Sequence, residues 1–137
     1  MGTVRVVFDT NVIVSALGFG GRPLDALLRA FDEDVQLLAS DETLHELERV
    51  LKYDHLPFTG AEQARYPHIL RLEAEIVVPE NTVEIVRDSD DDTFLECALE
   101  GDAEYVVSGD DDLLDLHSYK EIRIITPAKL IDILRSE

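Results

Sequence analysis

Five short runs of aliphatic and β-branched residues, separated by stretches of helical spacing, constrain what this chain can fold into more than any other feature of its sequence. The runs are Val4 to Phe8, Val35 to Ala39, Glu75 to Val78, Tyr105 to Ser108 and Ile122 to Thr126, each of strand length. Between them, apolar residues return every three or four positions: Leu24, Leu27, Leu28 and Phe31; Leu44, Leu47 and Leu51; Phe94, Leu95, Ala98 and Leu99. Alternation of this kind predicts βαβ crossovers. It therefore points to an α/β fold in three layers, with a mainly parallel, roughly five-stranded sheet covered by helices on both faces. Gly18, Gly20, Gly21 and Pro23 predict a loop before the second helix, with the proline in its first turn, and Pro127 is placed to open the last helix. Pro57 and Gly60 interrupt the middle, and the stretch from Tyr53 to His68 reads as irregular, a mobile or partner-contacting segment. A length of 137 residues suits one domain spanning 1–137.

No apolar run reaches the roughly 18 residues of a membrane helix, and the first strand begins without a signal-like core. The expectation is a soluble, cytoplasmic protein. Cys97 is the only cysteine, which excludes an internal disulfide and cysteine-based zinc sites; its place on an apolar helix face reads as core packing. A formal net charge of −18, from 30 acidic and 12 basic residues, is extreme for this size. It suits a chain adapted to concentrated salt, a halophilic habit, because a Debye length of about 3 Å at 1 M mutes self-repulsion. A surface that docks a basic partner, or an accident of lineage, would give the same balance. Charge alone argues against nucleic-acid binding, which normally shows as a basic patch.

The acids themselves fall at informative places. Strand one ends directly on Asp9, and the carboxyl edge of a parallel sheet is where such folds bind ligands. The plain alternative is that Asp9 or Thr10 caps the following helix. Strand four ends in Ser108 and Gly109 before Asp110, Asp111 and Asp112, a cluster that taken alone reads first as a solvated turn and helix cap. Asp88, Asp90, Asp91 and Asp92 precede the helix whose apolar face starts at Phe94, where a helix dipole favours negative charge. An EF-hand fits poorly there: with Asp88 as ligand one, the glycine at six is Thr93 and the glutamate at twelve is Leu99. Glu46 lies beside the buried stripe of its helix, with pairing to Arg49 as the plain reading. Four acids that the topology can turn toward one edge ask for cations, and oxygen-only ligation suits Mg²⁺ or Mn²⁺ rather than zinc. His45, His55, His68 and His117 show no paired ligand spacing.

With these residues in view, the chain resembles the PIN-domain nucleases. FDTNV at 8–12, the glutamate of HEL at 45–47, DDTFLECAL at 91–99 and YVVSGDDDLL at 105–114 are similar to that family's four acidic motifs, and the likeness runs from Val4 to about Leu134. It is nearest the branch of toxin components of toxin–antitoxin pairs, with a Gly-rich loop after strand one and a final TPAKLIDIL helix. The resemblance implies an RNA endonuclease with Asp9, Glu46, Asp92 and Asp110 as catalytic, metal-holding carboxylates and Asp112 as a further acid. Asn11 and Ser108 would be polar supports, and Asp91 replaces Asp92 if the alignment shifts by one. It also implies Mg²⁺ or Mn²⁺ as cofactor, products with 5′-phosphate and 3′-hydroxyl ends, an antitoxin partner and a homodimer. Arg22, Arg65 and Arg87 are the arginines offered to phosphates, against a plain reading as surface residues. Two rivals stand beside this. An aspartyl phosphatase would also put Asp9 after strand one, but its second acid two residues on is Asn11 here. A non-catalytic binding module could share the shape.

Overall fold

The computed structural model describes residues 3–80 and 89–136, with side chains left aside at 89–91. Strand β1 (Val4–Phe8) occupies the middle of a six-stranded sheet of order β3-β2-β1-β4-β6-β5, where β2 is Val35–Ala39, β3 Glu75–Ile76, β4 Tyr105–Val107, β5 Ser118–Tyr119 and β6 Ile122–Ile125. Among the described residues all pairings are parallel except β5 with β6. The helices of the described residues are α1 (Thr10–Phe19), α2 (Gly21–Arg29), α3 (Asp41–Leu51), α4 (Gly60–Glu73), α5 (Ser89–Glu100), α6 (Asp111–Leu116) and α7 (Pro127–Arg135).

Both faces of the central strands are largely buried, which is why β1 and β2 are apolar except at Arg5 and Gln36 rather than alternating. Alternation survives in where the side chains go. Val6, Phe8, Leu37, Val107 and Ile125 enter a core shared with α1, α2, α3, α4 and α7. Val7, Leu38, Val106 and Ile124 enter a second core built by α5, with Leu113 of α6. The result is the expected three-layer α/β/α arrangement. Its sixth strand is the two-residue β5, too short to leave an apolar run in the sequence.

Two local expectations are corrected. Gly18 lies within α1, where a Cβ would stand 3.1 Å from the Phe58 ring, and the interhelical loop shrinks to Gly20, whose φ of +73° suits glycine. Pro23 does fall in the first turn of α2. Most of the stretch read as irregular is instead the regular helix α4, opened by a capping box in which the Thr59 hydroxyl accepts from Glu62 N–H and Glu62 accepts from Thr59 N–H. Pro67 sits inside it, buried, at the cost of one helical hydrogen bond.

Sheet order decides where a site can form. From β1 the chain moves outward through β2 to β3, then returns to the opposite side of β1 as β4. The carboxyl ends of β1 and β4 therefore flank the point where strand order reverses, the usual ligand crevice of such sheets.

Candidate active site

Asp9 follows β1 with its backbone N–H on the Val107 carbonyl of β4 (2.9 Å), so the two strand ends are laced together just where their acids begin. Asp9 is 2% exposed. Its Oδ1 accepts from Asn11 N–H (3.1 Å), capping α1, and its Oδ2 accepts from the Ser108 hydroxyl (2.7 Å). The capping and site readings of this residue thus use different oxygens. Ser108, fully buried, accepts in turn from Asp110 N–H (2.9 Å). One hydroxyl thereby links the acids of two strands.

Asp110 caps α6: its Oδ1 accepts from Asp112 N–H (2.8 Å) and Leu113 N–H (3.2 Å). Its Oδ2 takes no hydrogen bond from the described residues. Asp112 is exposed on the first turn of α6. Glu46 comes from α3, with its Oε2 accepting the hydroxyl proton of Thr10 (2.8 Å) and its Oε1 3.4 Å from Arg49 Nη2. The plain pairing with Arg49 is real, and the buried Thr10 adds a tie to the residue following Asp9. Asp92, in the first turn of α5, is 6% exposed. Beside these acids runs a groove of about 440 Å³ lined by Asn11, Ser15, Pro23, Gly109, Asp110 and Pro127.

The structure thus brings Asp9, Ser108 and Asp110 into one hydrogen-bonded chain and hangs Glu46 on it through Thr10. Asn11, exposed, contributes its backbone N–H. The donor set is oxygen throughout, which suits Mg²⁺ or Mn²⁺. Among the described residues, however, no three carboxylates stand close enough to share one ion. The side chain of Asp91, the alternative to Asp92, lies outside the described residues, as do those of Asp88, Asp90 and Arg87. Arg22 and Arg65 are exposed on α2 and α4. All four histidines are exposed. Cys97 is core: burial pushes its thiol up to about 12, so it is inert near neutral pH. Thr10 is the site residue that sequence reasoning missed except as a cap.

A family model described as "PIN domain" matches residues 5–112. An uncharacterized protein of Methanocaldococcus jannaschii is 29% identical over 145 residues, spanning 94% of this chain and 90% of that protein. Among solved structures, the PIN domain of RRP44 from T. brucei superposes with a TM-score of 0.54 at 13% identity, covering 98% of this chain and 82% of that one. Among the described residues no helix is long and apolar enough to cross a membrane.

Proposed function

Because this chain belongs to the PIN-domain family, whose members are generally nucleases that use divalent metal ions, we propose that it is an Mg²⁺- or Mn²⁺-dependent endoribonuclease, the toxin component of a toxin–antitoxin pair. The observation that carries the reading is the Ser108 bridge, which holds a buried Asp9 and the strand-end Asp110 in one chain at the switch point of the sheet. Burying a carboxylate is costly unless something stabilises its charge. Asp9, Glu46, Asp92 and Asp110 are the carboxylates that would hold the ion, with Asp112 as a further acid, and they would have to draw closer than they stand here to share it. When bound, the ion supplies a lowered pKa for an attacking water and positive charge against the phosphodiester. The protein's own contribution is positional. Asn11 N–H and the Ser108 hydroxyl fix both oxygens of Asp9, and Asp112 and Leu113 N–H groups fix one oxygen of Asp110. Glu46 is set by Thr10. The neighbouring groove offers small polar groups, Asn11 and Ser15, to the strand being cut.

Purified wild type and Asp9→Asn, incubated with labelled single-stranded RNA at high salt with Mn²⁺, Mg²⁺ or EDTA, test the reading. Expected are cleavage by the wild type alone, its loss in EDTA, and an unchanged circular dichroism spectrum for the variant. Absence of cleavage with any metal moves the weight to a non-catalytic binding module, and cleavage by Asp9→Asn at the wild-type rate refutes the assigned residues. An antitoxin and a homodimer belong to the same proposal; co-expression with the adjacent gene product and light scattering test them.

A further inference from the structure

The chain's charge is unevenly spread. From Arg49 to Leu72 stand four basic residues, Arg49, Lys52, Arg65 and Arg71, against two acids, Asp54 and Glu62, a net of +2. The rest of the chain carries eight basic and 28 acidic residues, a net of −20. This segment is the end of α3, the connection after it and nearly all of α4. Between the two helices lies a groove of about 340 Å³ lined by Glu48, Lys52, Gly60, Gln63, His68 and Arg71. Its direction follows from its ends. Arg71 gives Nη1 to Asp41 (2.9 Å), the first residue of α3, one position past Ser40 at the carboxyl end of β2. That end of the groove therefore opens at the sheet edge that carries Asp9 and Asp110. At the other end, Lys52 adjoins Tyr53, 44% exposed, whose ring lies 5.9 Å from that of His55.

A polyanion approaching this molecule is repelled over most of its surface, and the stretch from Arg49 to Leu72, flanked by Glu48 and Glu73, is where that repulsion is weakest. Exposed cations beside an exposed aromatic ring are the means by which single strands are held without regard to sequence: phosphates meet the cations and a base stacks on the ring. We propose that the α3–α4 groove is the track along which the backbone of the substrate RNA runs to the acids, with Lys52 and Arg71 on phosphates, Gln63 and His68 as polar contacts, and Tyr53 under a base. It rests on the nuclease reading above. Glu48, the one acid lining the track among the described residues, opposes a phosphate laid there.

Each contribution has its own signature in binding of a fluorescent single-stranded oligoribonucleotide, read by anisotropy in EDTA across a series of KCl concentrations. Lys52→Ala weakens binding by the same factor for any sequence and lowers the slope of log K against log salt by about 0.7. Tyr53→Ala weakens binding on the order of tenfold and leaves the slope unchanged. Glu48→Gln tightens it. Wild-type binding with these three responses supports the track even if no metal yields cleavage, a result that would count against the nuclease reading alone. Wild-type cleavage with affinities and slopes unmoved in the variants overturns the track and leaves the nuclease reading standing. A wild type that binds no RNA at any salt overturns the track outright.

Discussion

Ser108 has one hydroxyl proton and gives it to Asp9 Oδ2, while its oxygen accepts Asp110 N–H, so a single Oγ orients two acids on different strands. Thr10 acts on Glu46 in the same way from the other side. Groups that orient metal ligands typically cost 10- to 100-fold in metal affinity or activity when removed. Ser108→Ala and the near-isosteric Thr10→Val are each expected to raise the Mn²⁺ concentration for half-maximal cleavage by about that factor, and Thr10→Ser to restore it. Losing a hydrogen bond to a charged group also lowers stability by about 1.5–3 kcal/mol. Thermal melts alongside the Mn²⁺ titrations separate the two effects: a lower melting temperature with an unmoved Mn²⁺ midpoint would make these hydroxyls structural only. The strand-end acids were legible in the sequence because strand ends were. Thr10 was not, since its partner lies 36 residues away and the pair depends on how α3 docks against α1.

The helix most poorly read from sequence, α4, shows what periodicity misses. Pro57, Gly60 and Pro67 look like punctuation, and only Pro67 and Leu70 of the helix are buried, so no apolar stripe announces it. The signal present was Thr59 with Glu62 three residues on, a capping box. That box also gives α4 an acid sensitivity. Thr59 N–H, hydrogen-bonded to the carboxylate, holds Glu62 below its ordinary 4.5, with the Thr59 and Tyr66 hydroxyls and Arg65 acting in the same direction. A carboxylate whose pKa is lowered by folding stabilises fully above its unfolded value, and that contribution is lost as pH falls through the folded value. The melting temperatures of wild type and Glu62→Ala should therefore differ most near neutral pH and converge below pH 4.5. Amide exchange should show the loss concentrated in the first turns of α4. A gap independent of pH would mean the charge of Glu62 contributes nothing to the cap.

For the whole molecule, the three layers and the alternation of five strands with helices could be read from spacing, although α4 and β5 were missed, whereas the reversal of strand order that forms the crevice could not, because it depends on which side of β1 the chain returns to. Charge acts at this scale too. Four arginines of the described residues are engaged in ion pairs, Arg5 with Glu75, Arg29 with Asp32 and Asp34, Arg49 with Glu46 and Arg71 with Asp41. Exposed pairs of this kind contribute about 0–1 kcal/mol each. They do little against a net charge of −18. Salt should then act on folding and on RNA binding with opposite signs. Shortening the Debye length from about 8 Å at physiological ionic strength to about 3 Å at 1 M relieves repulsion among the acids, so the melting temperature should climb with KCl. The same screening weakens phosphate contacts, so RNA affinity should fall along a straight line in log–log form. Cleavage at saturating RNA is expected to follow the fold and improve toward molar KCl, while cleavage at low RNA passes through a maximum at intermediate salt. Melting curves and initial rates over one KCl series decide the matter. A melting temperature highest in dilute buffer would refute adaptation to salt and leave the acidic surface to be explained by a basic partner.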